Sequence, residues 1–256
     1  MPPTVRTRAL LAAVLLSGLL SACGGQPPPA SCRATAPGAR PVTLAVEQAS
    51  AAATIAAVGV RLGVPDHAVT VALATAQQES GLRNLDHGDR DSLGLFQQRP
   101  SQGWGTPSQV RDPVHASRAF YRRLLAVPGW QRLSVTQAAQ AVQLSAFPTA
   151  YAQHETRSRV LARVLTGEVA AGLSCRGLPR APALRARALQ EAADAELGPG
   201  RLHGATTPKT RRVVAAWLVA HAQQFGVREV GADRHHWTAA GGRWATSAAD
   251  GPVAFQ

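Results

Sequence analysis

The residues best suited to chemistry lie in one stretch, QQESGLRNLDHGDRDSLGLFQQ, at positions 77–98. It holds four of the chain's fifteen acidic residues within thirteen positions: Glu79, Asp86, Asp89 and Asp91. Glu79 ends an apolar segment, where a carboxyl group is expected to be partly desolvated. Desolvation raises the pKa of a carboxyl group, so that it can act as a general acid near neutral pH. Cleavage of a glycosidic bond requires such an acid. On these features alone, a surface ion pair between Glu79 and Arg83 is the alternative, although Gly81 interrupts the helix that this pair needs.

The elements that must position these residues are predicted from apolar periodicity. A helix is predicted over residues 43–61 with Thr43 as its N-cap. A second helix runs to Ser80, where Gly81 stops it, so that Glu79 falls in its last turn. Residues 82–105 have no helical period and are rich in Gly, Asp, Asn and Ser, which predicts a loop with short extended pieces.

Three further helices are predicted after this loop. Asp112 followed by Pro113 is typical of a helix start, and the helix is expected to reach residue 125. Ser134 and Gln137 form a capping box for the next helix, which ends near residue 145. A fifth helix is predicted over residues 151–165. Five helices around one long loop indicate a mainly α domain at residues 41–175.

The order and spacing of two motifs resemble the lytic transglycosylases of the lysozyme-like superfamily. The pair Glu79-Ser80 at a helix end is followed, fifteen residues after the Glu, by Gly94-Leu95-Phe96-Gln97. In that family a Glu-Ser pair precedes a Gly-Leu-Met-Gln segment, and a Tyr follows later in an Ala-Tyr-Asn-Ala-Gly stretch. Here residues 149–153 read Thr-Ala-Tyr-Ala-Gln, without the family's Asn and Gly. The resemblance covers about residues 41–165 and implies a lysozyme-like helical fold with a catalytic-cleft loop.

The resemblance also implies roles for individual residues. Glu79 corresponds to the general acid that later acts as base. Ser80 and Gln97 correspond to residues that hold the loop and bind substrate, and Tyr151 to one that positions the acid or the sugar. The implied substrate is the MurNAc–GlcNAc linkage of peptidoglycan glycan strands, without a cofactor or a metal. The altered Tyr motif leaves an alternative, a non-catalytic peptidoglycan-binding or scaffold lipoprotein with the same fold.

A second carboxylate would distinguish two reactions. A transglycosylase works with one carboxylate, because the substrate's N-acetyl oxygen and C6 hydroxyl supply the nucleophiles. A hydrolase usually needs a second one, for which Asp89 and Asp91 are the candidates. A structural role in Asx turns is the other interpretation of the loop acids. Trp104 is predicted either to stack on a sugar or to lie in the core.

The N-terminus predicts export. Two arginines precede an apolar stretch at residues 9–20, and Leu20-Ser21-Ala22-Cys23 resembles the bacterial lipobox. Residues 1–22 are therefore predicted to be a lipoprotein signal peptide. Lipidated Cys23 would anchor the protein to the outer face of the cell membrane, and residues 23–40 would form a Pro/Gly-rich tether. The alternative is an ordinary signal peptide with an incidental cysteine.

The two remaining cysteines, Cys32 and Cys175, form an even pair in an oxidising compartment. They bracket the helical part of the chain, and we predict a disulfide between them. Two buried thiols are the alternative.

The C-terminal part is predicted to be separate from the helical domain. Residues 176–208 are expected to be a linker with a helix, and residues 209–256 a small α+β unit. His235-His236-Trp237 faintly resembles part of a D-Ala-D-Ala metallopeptidase, but the metal-ligand run of that family is missing, so no metal site is predicted. The unit is therefore expected to be dispensable for bond cleavage.

The net charge of +12 favours anionic partners such as cell-wall polymers or lipid headgroups. Of the 27 basic residues 26 are Arg, a bias that indicates a GC-rich genome rather than 26 ligand-binding residues. No nucleic-acid recognition motif is visible, so nucleic acid is not a predicted partner. The sequence does not indicate an oligomeric state.

Overall fold

The computed structural model describes residues 29–179, 183–248 and 251–256. The predicted signal peptide and Cys23 lie outside these ranges. Within them, no helix has both the length and the apolar character needed to cross a membrane. Helices account for most of the regular structure, which confirms the prediction of a mainly α protein.

A three-stranded antiparallel sheet gathers distant parts of the chain. Its strands are β1 (Ser31–Ala34), β2 (Val42–Ala45) and β3 (Leu173–Arg176), in the order β2-β1-β3. Strand β1 lies within the predicted tether at 23–40, so that prediction is wrong for these four residues. The strand forms because both of its edges are paired and Cys32 and Ala34 are buried, although the flanking Pro and Gly residues are typical of a linker.

The predicted disulfide between Cys32 and Cys175 is confirmed. The two residues face each other in the register of β1 and β3, and both are fully buried. The bond closes a loop with a sequence separation of 143 residues. In the chain-entropy model, a loop of this length stabilises the folded state by about 5 kcal/mol.

The helices between these strands include all five that the sequence predicts. They are α1 (Val46–Arg61), α2 (Asp66–Ser80), α3 (Pro107–Arg111), α4 (Pro113–Ala126), α5 (Val135–Gln143) and α6 (Glu155–Leu165), with 3-10 turns at Pro100–Gln102, Trp130–Arg132 and Ala150–His154. The short α3 was not predicted; it starts at a capping box between Thr106 and Gln109. Helix α1 starts after Ala45 rather than Thr43, because Thr43 belongs to β2. Tyr151 lies in a 3-10 turn before α6, not in α6 itself.

Helix α2 lies at the centre of this domain, and its residues 68–76 are all buried. It packs against α1, α5 and α6. Many of the residues in contact are Ala, so the helix backbones can approach closely. The C-terminal end of α2 is thereby fixed from several sides, and that end carries Glu79.

The remaining chain has the predicted α+β composition. It contains α7 (Ala186–Glu196), α8 (Arg201–Gly204), α9 (Pro208–Ala220), α10 (Ala222–Phe225), β4 (Glu229–Ala232), β5 (His235–Thr238), β6 (Trp244–Thr246) and β7 (Ala254–Phe255). The four strands form an antiparallel sheet in the order β6-β5-β4-β7.

The prediction that this part is a separate unit is wrong, because one hydrophobic core joins it to the helical domain. Helix α9 packs against α1, α6 and β3. Its residues 213–220 are all buried, and a helix that is apolar all round must be covered on every side. The indole of Trp244 also donates a hydrogen bond to the carbonyl of Leu173, at 2.6 Å.

Candidate active site

Glu79 lies in the last turn of α2, as the sequence predicts, and is half-buried. Gly81 ends the helix in the left-handed conformation, with φ 63° and ψ 32°. The carbonyl of Gly81 accepts a hydrogen bond of 2.7 Å from the side-chain amide of Gln48 in α1. The backbone that carries Glu79 is therefore fixed by a neighbouring helix.

Tyr151 contacts the carboxylate of Glu79 directly. Its hydroxyl donates a hydrogen bond to Glu79 Oε1 at 2.8 Å, across 72 residues of chain. The ring of Tyr151 is fully buried. Burial raises the pKa of Tyr151 well above its usual range, and the negative charge of Glu79 and the hydrogen bond raise it further. The hydroxyl therefore stays protonated at neutral pH and remains a donor to Glu79.

The ion pair between Glu79 and Arg83 is not formed. The guanidinium of Arg83 pairs instead with Glu47, at 3.1 Å on the protein surface. Within the described residues, no basic side chain forms an ion pair with Glu79, and Tyr151 is the one group hydrogen-bonded to its carboxylate. None of the described residues therefore donates a hydrogen bond to the other carboxylate oxygen, Oε2.

The Gly94–Gln97 segment is fastened beside Glu79 by two carbonyl groups. The carbonyl of Leu95 accepts from Ser80 Oγ at 2.7 Å, and that of Phe96 accepts from the Gln143 amide at 2.9 Å. Gly94 has φ 77° and lies so close to the Val110 carbonyl oxygen that a Cβ there would clash with it. The segment therefore adopts one fixed path between α2 and α5.

Ser80 and Gln97 both hold the loop. Ser80 is buried, and its hydroxyl also accepts a hydrogen bond from the Arg83 backbone N–H at 3.2 Å. Gln97 has a positive φ of 47°, and its amide donates to the carbonyls of His87 and Gly94, each at 3.3 Å. The Ser80 hydroxyl is within 3.0 Å of the Ala76 carbonyl and 2.7 Å of the Leu95 carbonyl, so its single proton is directed at the backbone. The predicted substrate contact is thus not supported for Ser80, whereas its loop-holding role agrees with its hydrogen bonds.

The loop acids have different surroundings. Both oxygens of Asp91 are occupied, one by Arg99 Nε at 2.7 Å and the other by the Ser101 backbone N–H at 2.8 Å. These two hydrogen bonds, that of Ser101 most of all, hold the pKa of Asp91 well below its usual range. Asp89 is exposed and lies 3.9 Å from Arg90 Nε. Asp91 therefore has a structural role, because both of its carboxylate oxygens accept hydrogen bonds from loop residues.

Trp104 lies in the core rather than in an open cleft. Its side chain is 7% exposed, and the guanidinium carbon of Arg123 lies 3.5 Å from the centre of its ring. Because Trp104 is almost entirely buried and Arg123 covers one face of its ring, the core position that the sequence also allowed describes it better than a sugar-stacking platform.

Sequence reasoning missed a second tie between α2 and the 3-10 turn. The side-chain oxygen of Gln78 lies 2.9 Å from His154 Nε2 and 3.1 Å from Gln153 Nε2. Burial lowers the pKa of His154, and the charge of Arg157 lowers it further, so His154 is neutral at pH 7 and can donate through one nitrogen. Gln153 and His154 follow Tyr151 where the resembling family has other residues. In the sequence, residues 77–80 (QQES) and 152–155 (AQHE) are both polar. Neither segment, however, indicates that its side chains contact those of the other.

Metal binding is not suggested by the arrangement of side chains. Among the described residues, no group of three or more His, Cys, Asp and Glu side chains is placed to hold a metal ion. His236 is within 3.1 Å of Glu229, and His235 contacts the carbonyl of Asp233.

Comparison with protein-family models gave no match for this chain, and comparison with curated proteins gave none either.

Proposed function

We propose that this protein is a glycan-cleaving enzyme with a lysozyme-like fold that acts on the MurNAc–GlcNAc linkage of peptidoglycan. Glu79 is its general acid and then its base. The observation that carries the proposal is the environment of Glu79: a half-buried carboxylate at a rigid helix end, with Tyr151 on one oxygen and no cation of the described residues paired with it. A carboxyl group held in this way is oriented without an ion pair that would keep it ionised, so it can both donate and accept a proton.

The reaction follows from the two oxygens of Glu79. Tyr151 holds Oε1, so Oε2 carries the proton that is transferred to the glycosidic oxygen. The bond between that oxygen and C1 of MurNAc breaks. The C6 hydroxyl of the same MurNAc then forms a bond to C1, assisted by the N-acetyl oxygen, and Glu79 accepts the hydroxyl proton. The proton lost to the leaving group is thus recovered, and the product is a 1,6-anhydro sugar.

The surroundings of the loop acids favour this reaction over hydrolysis. Retaining and inverting glycosidases generally use two carboxylates that flank the bond. Asp91 has both oxygens engaged by Arg99 and Ser101, and Asp89 is exposed beside Arg90. These contacts support a mechanism with Glu79 as the single catalytic carboxylate.

Export to the cell surface fits the same activity. The buried Cys32–Cys175 disulfide is typical of proteins that fold in an oxidising compartment. The net charge of +12 suits an anionic cell wall. We propose that lipidated Cys23 anchors the protein to the outer face of the membrane. Labelling with a fatty-acid analogue tests this anchor: the label should mark the wild type and be absent from Cys23→Ala, and an unlabelled wild type would refute it.

The decisive experiment on the activity is peptidoglycan digestion with the products resolved by mass spectrometry. Glu79→Gln keeps the shape of the side chain but cannot donate the proton. General acid catalysis typically contributes about 10²- to 10⁴-fold, so the rate should fall by about that factor while glycan binding persists. Anhydro-muropeptides should dominate the wild-type products.

Asp89→Asn is the matched control, since it removes an exposed carboxylate of the same loop and should cost less than about tenfold. If it is as damaging as Glu79→Gln and the products have reducing ends, the enzyme is a two-carboxylate hydrolase. If the wild type and Glu79→Gln bind glycan equally and neither releases product, the protein is a non-catalytic binding or scaffold lipoprotein.

A further inference from the structure

Two large apolar side chains stand out as the most exposed among the described residues. Leu144 is 80% exposed and Phe147 is 72% exposed, whereas the other exposed large apolar side chains of this part of the chain lie between 38% and 47%. Both belong to residues 144–149, which connect α5 to the 3-10 turn of Tyr151. Single exposed apolar residues are common, but these two lie seven and four residues before Tyr151, the donor to Glu79, which suggests a contact surface near the candidate site.

This connection is held in place by hydrogen bonds. The Gln140 amide donates to the Ser145 carbonyl at 2.9 Å. Ser145 Oγ accepts from the Phe147 backbone N–H at 3.1 Å, and the Phe147 carbonyl accepts from the Ala150 N–H at 3.1 Å. Leu144 has a positive φ of 51°, a conformation that a branched side chain adopts only when its surroundings impose it. The two side chains are therefore exposed on a fixed backbone.

A short series of contacts links Phe147 to Glu79. The Phe147 carbonyl accepts from the N–H of Ala150, the residue directly before Tyr151, at 3.1 Å. The Tyr151 hydroxyl in turn donates to Glu79. The backbone of Phe147 is thus fixed four residues before Tyr151, the donor to Glu79.

The chemistry of this pair fits a neutral sugar. Among the described residues, Phe147 is the one exposed side chain of the Phe, Tyr and Trp type, and Trp104, the other candidate, is covered by Arg123. An aromatic face attracts the weakly positive C–H groups on one side of a pyranose ring. An aliphatic side chain such as Leu144 can pack against the methyl group of an N-acetyl substituent.

We propose that Phe147 and Leu144 form a stacking platform for an N-acetylated sugar of the glycan strand, adjacent to the bond at Glu79. This inference rests on the proposed function and adds the surface that recognises the substrate. Phe147 is a binding residue here and takes no part in proton transfer.

Binding is measured in the full-length protein carrying Glu79→Gln, so that cleavage does not intervene, with a GlcNAc hexamer as the probe. Phe147→Ala should weaken affinity by about tenfold, the scale of one lost aromatic contact, and Leu144→Ala by about threefold. Phe147→Tyr keeps the ring and should retain wild-type affinity. Leu125→Ala is the matched control, because Leu125 is 47% exposed at the end of α4.

Kinetics with Glu79 intact separate binding from chemistry. Phe147→Ala should raise KM by about tenfold and change kcat by less than about threefold, because uniform binding is lost. If Phe147→Ala binds the hexamer as tightly as its parent while Glu79→Gln abolishes cleavage, the platform is refuted and the proposed function stands. Equal losses in Phe147→Ala and Phe147→Tyr would also refute stacking. A wild type that neither binds nor cleaves glycan would overturn both proposals.

Discussion

Two glutamates of this protein stand at helix ends, yet their surroundings differ. Glu79 is in the last turn of α2 and Glu196 is the last residue of α7. Each accepts a hydrogen bond from an aromatic side chain, Glu79 from the Tyr151 hydroxyl at 2.8 Å and Glu196 from the Trp217 indole at 2.7 Å. Glu196 is 7% exposed, and His221 Nε2 lies 3.9 Å from the oxygen that Trp217 occupies. Glu79 is half-buried and borders an irregular loop.

The difference shows that an aromatic donor at a helix end does not by itself make a catalytic carboxylate. Glu196 joins α7 to α9, and His221 continues the connection to Thr54 in α1 at 3.5 Å. Two arginines, Arg61 and Arg118, also donate to carbonyls in the last turn of α7. Glu196 is thus part of a buried structural network, whereas Glu79 is partly solvated and, in the proposed reaction, gives up and takes back a proton.

The largest expected effect comes from removing the C-terminal part of the chain, which contains Glu196 and helix α9. A chain that ends at Gly177 lacks α9, whose buried face includes Trp217 and Leu218. Each large side chain of this kind contributes about 1.5–3 kcal/mol by burial, so their joint loss is comparable to the whole stability of a domain. We expect this truncated protein to show no cooperative thermal transition in circular dichroism. A cooperative transition with retained cleavage would restore the sequence prediction that the C-terminal unit is separate and dispensable.

A smaller effect distinguishes the two glutamates directly. Glu196→Ala leaves the buried Trp217 N–H without its acceptor and should lower the free energy of unfolding by about 3 kcal/mol. Glu79→Ala also removes the acceptor of the Tyr151 hydroxyl, but Glu79 is partly solvated, so water can replace its carboxylate and the loss should be smaller, about 1 kcal/mol. Urea denaturation followed by tryptophan fluorescence measures both.

Glu191→Ala is the control for helix α7, because Glu191 forms an exposed pair with Arg187 at 2.8 Å. Its effect should stay below about 0.5 kcal/mol. Equal destabilisation by Glu79→Ala and Glu196→Ala would contradict the contrast between a structural and a chemical carboxylate.

The smallest effect concerns Tyr151, which donates a hydrogen bond to Glu79, and the dependence of protein stability on pH. The pKa of Tyr151 is raised in the folded protein, by burial first and then by Glu79. Above about pH 10 the unfolded chain releases the Tyr proton while the folded protein retains it, so stability falls as pH rises. Between pH 10 and 11 the wild type should lose about 1 kcal/mol more than Tyr151→Phe.

Urea denaturation at the two pH values measures this difference. Tyr121, which is buried and has a raised pKa for the same reason, contributes equally to both proteins and cancels. Parallel losses in the wild type and Tyr151→Phe would mean that Tyr151 is not held as the structure describes.

The helices around Glu79 were predictable because their signals are local. Asp112 with Pro113, Ser134 with Gln137, and the left-handed Gly81 each mark a helix end within a few residues. The last turn that carries Glu79 follows from such signals.

What the sequence did not reveal depends on distant partners. Strand β1 has four residues, and one of its pairing partners, β3, lies more than 130 residues away, so no local pattern predicts it. The burial of Trp104 depends on Arg123 in α4, and the tie between Gln78 and His154 spans 76 residues. The apolar run in α9 was visible, but its periodicity does not say that α1 covers it.

The Cys32–Cys175 bond has a mechanical consequence. A pulling force that enters the chain at its N-terminal end reaches Cys32 in β1 and crosses the covalent bond to β3. From there it passes into the C-terminal part of the chain without running through the backbone of α1 to α6. The disulfide carries this force past the loop between the cysteines, whose sequence separation is 143 residues. The loop itself therefore bears no tension as long as the covalent bond is intact. The spacing between Glu79 and Tyr151 is thereby insulated from tension between the two ends of the chain.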